Sequence, residues 1–265
     1  MKIHKAKKSL GQNFLKSVPA LNAIVNAGEV KDTDTILEIG PGKGALTEKL
    51  LEKAGTVIAI EKDKDLLEFL KEKFKTEIEN EKLILINEDI LEHPLPTSPL
   101  AKGEGKYKII ANIPYNITGA ILKKFLTAEN QPERMVLMVQ NEVAKRIVAR
   151  DGSESILSIS VKAYGNPKII MKVPARYFSP APKVDSAIIA ITDINRDNFK
   201  DKKLEDIFWT LVKTGFAHKR KILLSNLKEI ARQDLTIIFK SLNISEKVRA
   251  EELDLKDWLE IAKKL

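Results

Sequence analysis

Asn112-Ile113-Pro114-Tyr115 follows an apolar run from Tyr107 to Ala111 that reads as a strand ending at a sheet edge. These residue types suit one kind of ligand, an exocyclic amine on a flat ring. Such an amine is a weak nucleophile because its lone pair is delocalised into the ring, so a site that alkylates it must accept its protons and hold the ring still. The Asn112 side-chain oxygen and the Ile113 backbone carbonyl can accept two N–H bonds, while Pro114 fixes its own φ and stiffens the turn. Tyr115 can stack on the ring, an interaction worth about 1–3 kcal/mol per base. Taken alone, the tetrapeptide also fits a plain strand-ending turn. Its surroundings favour the chemical reading.

A second motif, Glu38-Ile39-Gly40-Pro41-Gly42-Lys43-Gly44, sits between an apolar strand, Thr35 to Ile39, and a helical stretch from Ala45. Glycine is needed where a strand-to-helix turn meets a ligand or takes positive φ. The spacing is Gly-x-Gly-x-Gly, whereas the dinucleotide fingerprint is Gly-x-Gly-x-x-Gly. Glu61 ends the next strand, Thr56 to Ile60, where it can take both hydroxyls of a ribose. A third strand, Leu83 to Asn87, leads to Asp89 and Ile90, an acceptor for an adenine amino group and an apolar cover for its face. Each acid alone reads as a solvated strand end. Glycines, Glu61, Asp89 and Asn112 on four successive strand ends form a site at the carboxyl edge of a doubly wound sheet.

These motifs resemble the small-subunit ribosomal RNA adenine N6,N6-dimethyltransferases, the kasugamycin-sensitivity family, which use S-adenosyl-L-methionine. Two further stretches carry the likeness. Lys8-Ser9-Leu10-Gly11-Gln12-Asn13-Phe14-Leu15 is similar to the family's amino-terminal cofactor motif, and Phe178 to Ser186 (FSPAPKVDS) to its late loop near the target base. Together the motifs span nearly the whole chain in the expected order, and Ile113 stands where Leu is commoner. The resemblance implies a Rossmann-like α/β methyltransferase fold with a mostly parallel seven-stranded sheet and a small all-α C-terminal domain. It implies cofactor binding by Gln12, Asn13, Leu15, Glu38, Gly40, Gly42, Gly44, Glu61, Lys62, Asp89, Ile90 and Asn112. Asn112 to Tyr115 would hold the target amine, and Tyr115 and Phe178 would sandwich the base. The implied substrate is a pair of adjacent adenines in a hairpin near the 3′ end of small-subunit rRNA, within a pre-30S particle, and the implied enzyme is a monomer.

Composition is consistent with a polyanionic partner. Lys and Arg number 45 against 37 Asp and Glu, a formal charge of +8, and the pI is about 9.3. Residues 1–28 hold five Lys and no acid, and residues 196–265 hold 16 basic against 12 acidic residues, so both ends are basic around a near-neutral middle. Lys5, Lys7, Lys8, Lys183, Lys219, Arg220 and Lys221 are therefore expected on phosphates. A lysine-rich amino terminus also fits a merely solubilising tail. The chain has no Cys, which excludes disulfides, thiolate zinc sites and cysteine nucleophiles. Three dispersed His give no ligand spacing, so no metal is expected. No apolar run reaches transmembrane length and no signal-peptide core follows the early lysines, so a cytoplasmic enzyme without membrane contact is expected.

Alternation of strands and helices continues to about Asn141, interrupted by an irregular insertion marked by Pro94, Pro96, Pro99, Gly103 and Gly105. Asp63 or Asp65 can cap the helix carrying Leu66, Leu67, Leu70 and Phe74 on one face. Val143 to Ala149 and Ile156 to Ala163 read as helical, and Lys168 to Val173 and Ser186 to Thr192 close the sheet. From about residue 196 only helical periodicity remains. The expected domains are thus 1–195, catalytic, and 196–265, a helical RNA-binding domain. His218-Lys219-Arg220-Lys221 is expected at a helix start, where free backbone N–H groups would also face phosphate. Trp209 and Trp258 are expected in the core. Two alternatives remain at this point: a sister enzyme methylating 23S rRNA, of the macrolide-resistance type, and a nicotinamide-dependent oxidoreductase.

Overall fold

A computed structural model describes residues 6–7, 10–93, 106–228, 230 and 235–265. Lys5, Lys8 and the insertion from Pro94 to Gly105 lie outside the described residues. In chain order the strands are β1 (Phe14–Leu15), β2 (Thr35–Ile39), β3 (Thr56–Ile60), β4 (Leu83–Ile86), β5 (Lys108–Asn112), β6 (Arg134–Gln140), β7 (Asn166–Val173), β8 (Phe178–Ser179) and β9 (Ser186–Thr192). Seven of them form one sheet in the order β4-β3-β2-β5-β6-β9-β7. β4, β3, β2, β5 and β6 pair in parallel, while β9 runs antiparallel to both β6 and β7.

Continuous apolar runs make this sheet, because strands covered by helices on both faces have no polar side to alternate with. Ile36, Leu37 and Ile39 on β2, and Val57 to Ile60 on β3, are all buried. Glu38, 1% exposed inside β2, is a buried polar residue among them. From β2 the chain runs outward to β3 and β4 and then returns to the other flank of β2 at β5, so its order reverses between β2 and β5. Such a reversal opens a crevice at the carboxyl ends of the strands. Ile39 lies beside Ile60, Ile60 beside Ile86, and Asn112 beside Met138, which brings these strand ends to one edge.

Helices α1 (Val18–Ala27), α2 (Ala45–Leu51), α3 (Lys64–Lys73), α4 (Lys75–Glu79) and α5 (Thr118–Leu126) connect or cover these strands. Ser17 caps α1, and Asp63 caps α3 by accepting from Asp65 N at 3.1 Å. Leu66, Leu67, Leu70 and Phe74 face the core from α3, as their spacing predicts. Gly44 opens α2 at φ +74°, and a Cβ there would come within 2.5 Å of Phe74 and 2.9 Å of Leu70. Gly44→Ala should therefore cost about 2–5 kcal/mol from left-handed backbone and overpacking together. Chemical denaturation checks this; a loss of cofactor affinity at full stability would show instead that Gly44 serves the ligand.

Packing divides the chain into two units: residues 1–144 with Asn166–Ile194, and Lys145–Gly165 with Asn195–Leu265. The second unit contains α7 (Ile156–Lys162), α8 (Lys202–Gly215), α9 (Leu223–Leu227), α10 (Leu235–Ser241) and α11 (Leu255–Lys264), while α6 (Asn141–Val148) spans the division. The single boundary near residue 195 thus misses one excursion. Tyr164 explains it: its hydroxyl bonds the buried Glu205 of α8 and accepts from Trp209 Nε1 at 2.9 Å. Arg196 Nη1 and Lys202 Nζ reach the same carboxylate, each at 3.1 Å. Glu154 N also donates to Glu251 O at 2.8 Å, and Asn198 Nδ2 to Ala163 O at 2.9 Å. Trp258 is fully buried, and Trp209 stacks on Tyr164 with centroids 6.1 Å apart. Among the described residues no helix is long and apolar enough to cross a membrane.

Candidate active site

A cavity of about 460 Å³ opens at the carboxyl ends of β2, β3 and β5. Its floor is the glycine turn after β2, with Glu38, Gly40 and Gly42; Glu61 and Lys62 close one side, and Asp89 and Ile90 the next. Asn112, Ile113, Pro114 and Tyr115 form the opposite wall, and Gln12, Asn13 and Leu15 cross over it. Gly44 and Phe178 do not line this cavity.

The glycine turn is tied directly to Glu61. Glu61 is 6% exposed; Oε2 accepts from Gly42 N at 3.1 Å and Oε1 from Asp63 N at 2.8 Å. Burial raises its carboxyl above the ordinary carboxylate value, although these two N–H donors oppose the shift. Each oxygen keeps a further lone pair for a donor in the cavity. On the neighbouring strand end, Asp89 accepts from Lys62 Nζ at 2.7 Å and from Leu91 N at 2.9 Å, and these bonds hold its carboxyl below the usual value. Lys62 therefore addresses Asp89.

Glu38 is the most perturbed acid of the cavity. Burial, with Glu61 nearby, pushes its carboxyl from 4.5 up to about 8, and Oε2 has no hydrogen-bond partner. A folded-state value above the unfolded one means that the folded chain holds the extra proton between those limits. This residue's contribution to stability should therefore decline as pH rises from about 4.5 to about 8, by roughly 1.4 kcal/mol per unit at most. Glu38→Gln should remove that part of the slope and be more stable than the parent at pH 8 without ligand. Equal slopes in denaturation at pH 5.5 and pH 8 would mean that Glu38 is ionised in the fold.

Asn112 Nδ2 donates to the backbone carbonyl of Asn13 at 3.2 Å, which orients the amide and leaves its oxygen as the acceptor. Asn13 is held by the strap around it. Gln12 Nε2 donates to Asp63 Oδ2 at 2.8 Å, and Lys7 Nζ reaches Asp63 at 2.6 Å and Asp65 at 2.7 Å. Burial works against ionisation of Asp63, but the bonds from Lys7 and Gln12 prevail and its carboxyl lies below the usual value. Lys7, expected from the sequence on phosphate, pairs with these two carboxylates while its side chain stays 41% exposed. β1 of this strap pairs antiparallel with β8, Leu15 opposite Phe178. Phe178 is buried at 3% exposure and does not line the cavity, whereas Tyr115 does.

Sequence reasoning did not single out Phe14, Lys43 or Ser186. Lys43 Nζ stands 4.9 Å from the Phe14 ring centroid at the mouth of the cavity, and Tyr115 Oη lies 2.7 Å from Ser186 Oγ. Phe14, Lys43 and Ser186 all lay within quoted motifs, but no spacing rule connects Tyr115 and Ser186, 71 positions apart. Lys183 is exposed in the loop before β9. Lys219, Arg220 and Lys221 are also exposed, in the turn between α8 and α9 rather than at a helix start. α9 has only five residues, and Leu223 N already donates to Val248 O at 2.8 Å, so the helix-end argument for this cluster lapses.

The chain is similar to known proteins along nearly its whole length. The family model described as ribosomal RNA adenine dimethylase matches residues 3–265. A Dehalococcoides mccartyi protein named ribosomal RNA small subunit methyltransferase A is 44% identical over 96% of this chain and 86% of its own length. Its namesake from Fusobacterium nucleatum is 38% identical over 98% of this chain and 97% of its own length. Among solved structures, a dimethyladenosine transferase from Plasmodium falciparum superposes with TM-score 0.79 at 28% identity, covering 94% of this chain and 95% of its own. The 23S rRNA methyltransferase ErmE superposes with TM-score 0.77 at 25% identity, covering 96% and 99%. A family match over residues 3–265, with relatives 38–44% identical along almost the entire chain, makes this chain a member of the ribosomal RNA adenine dimethylase family.

Proposed function

We propose that the protein transfers methyl groups from S-adenosyl-L-methionine to the N6 amines of two adjacent adenosines in small-subunit rRNA, within a hairpin of a pre-30S particle, as a cytoplasmic monomer. The observation that carries this reading is the Asn112 amide, whose Nδ2 is committed to Asn13 O and which lines the cavity together with Ile113. The cavity fits the cofactor. A Cβ on Gly40 would meet no protein atom within 4 Å, leaving room beside the glycine turn, and Glu38 Oε2 awaits a donor such as an α-ammonium. Glu61 is assigned to the ribose hydroxyls and Asp89 with Ile90 to adenine, which their lining of the cavity supports. When bound, the cofactor supplies an electrophilic methyl on a sulfonium.

On the protein side the work is positioning. Asn112 Oδ1 and the Ile113 carbonyl accept the amine N–H bonds and Tyr115 stacks on the ring, which holds the nitrogen in line; the proton leaves as the nitrogen acquires its methyl. The adenine must leave its stack, at a cost of a few kcal/mol in a duplex and less in a loop. The small subunit is favoured as substrate by 38–44% identity to proteins named for it, against 25% to the 23S enzyme. Incubation of small-subunit particles and of 23S RNA with labelled cofactor tests the choice: label in the particle supports it, and label only in 23S RNA overturns it.

Lys183, Lys219, Arg220 and Lys221 are the exposed cations proposed to meet phosphate. Replacing Lys219, Arg220 and Lys221 with Ala should lower the slope of log affinity against log salt by about 2–3, at about 0.9 per phosphate contact. Cofactor affinity should stay the same. An unchanged slope in RNA-binding titrations would mark the cluster as a solvated turn.

A further inference from the structure

Tyr115 lies in a short turn, and its ring would be free to swing unless something holds the far end. Its backbone is fixed by Thr118 Oγ1, which donates to Tyr115 O at 3.1 Å, and Pro114 O accepts from Ile117 N at 3.3 Å. At the other end of the ring, Tyr115 Oη lies 2.7 Å from Ser186 Oγ. Ser186 is the first residue of β9, fully buried, and stands in register with Gln140 of β6 on one side and Val173 of β7 on the other. The residue before it is equally tied down. Asp185 O accepts from Asn141 N at 2.9 Å, and its carboxylate accepts from Ala175 N at 3.0 Å and pairs with Lys172 at 2.9 Å. The serine hydroxyl is therefore a fixed point in the sheet.

We propose that Ser186 is a positioning residue for methyl transfer, its hydroxyl holding the Tyr115 ring in the plane on which the target adenine stacks. This rests on the reading of the cavity as an amine methyltransferase site and adds to it a role for the tyrosine hydroxyl. Burial raises the phenol above its ordinary value, so it keeps its proton at neutral pH and the two hydroxyls share one hydrogen bond. Stacking needs only a ring. Stacking in a fixed plane needs the ring anchored at both ends, because each misplaced orientation removes the amine from the line of transfer. The bond also joins the Asn112–Tyr115 wall to the loop that ends at Ser186, two motifs far apart in the chain.

The test is single-turnover methyl transfer to small-subunit particles with both substrates saturating, on Ser186→Ala, Tyr115→Phe and the double variant. Each single substitution should slow transfer about tenfold, the effect of one net hydrogen bond, with cofactor and RNA affinities unchanged. The double variant should be no slower than either single one, because both remove the same bond. Losses that multiply in the double variant would overturn the proposal, as would wild-type transfer by Tyr115→Phe, which decides the matter even where Ser186→Ala fails to fold. Asn112→Ala serves as the separate control: wild-type transfer by that variant would remove the amine-site reading itself while leaving the coupling between Tyr115 and Ser186 to be judged on its own cycle.

Discussion

Asn112→Ala should transfer methyl groups about 10²–10³-fold more slowly than the parent, the scale of removing one preorganised polar group that meets the developing charge of a transition state. Its RNA affinity changes little, because remote phosphate contacts dominate binding. The reason lies in the direction of the amide. With Nδ2 committed to Asn13 O, the oxygen is the part of Asn112 offered to a ligand, and a target amine has no other side-chain acceptor assigned to it in that wall. Charge develops on the amine nitrogen only as the methyl arrives, so the acceptor is worth most in the transition state, and kcat falls with KM nearly constant. Asn112→Asp asks a sharper question: it keeps an acceptor but loses the donor to Asn13 O, and intermediate activity is expected. Wild-type transfer by Asn112→Ala in single turnover would take the residue out of the mechanism.

Glu61→Ala should weaken cofactor binding by about 100-fold or more, from the loss of charge-assisted hydrogen bonds worth about 1.5–3 kcal/mol each. Two effects combine here. The carboxylate would no longer meet the ribose hydroxyls, and Gly42 N and Asp63 N would lose their shared acceptor, loosening the glycine turn and the start of α3 together. Glu61→Gln separates them, since its one remaining acceptor oxygen can serve only part of this set. Calorimetric titration of S-adenosyl-L-methionine into the folded variants reads both, and unchanged affinity for Glu61→Ala would sink the assignment. NAD titrated in parallel should show no comparable binding to the parent.

The sheet was legible because its strands are continuous apolar runs, and the strand-end residues were legible because parallel strands bring their carboxyl ends to one edge. Asp63 as the cap of α3 followed from local chemistry. What could not be read depended on non-local pairing. Phe178 looks like a stacking ring in sequence, but it pairs with Leu15 and is buried. Lys7 belongs to a basic segment, yet Asp63 and Asp65, more than fifty positions away, take its charge. Gly44 shares a spacing with Gly40 and Gly42, which line the cavity, while Phe74 and Leu70 leave no room for a Cβ on it. Residues 145–165 read as helices within the expected 1–195 domain, and contacts such as the Tyr164–Glu205 bond show why they group with the C-terminal helices.

Transfer to a particular nitrogen is the centre of this account, and nucleoside mass spectrometry of the product RNA tests it most directly. Unmethylated small-subunit particles are incubated with the protein and S-adenosyl-L-methionine, the RNA is digested to nucleosides, and the modified base is identified and mapped. The account predicts N6,N6-dimethyladenosine at two adjacent positions, formed by the parent and lost in Asn112→Ala. Methyl groups on a ribose or a ring nitrogen, or dimethyladenosine formed equally well by Asn112→Ala, would contradict it.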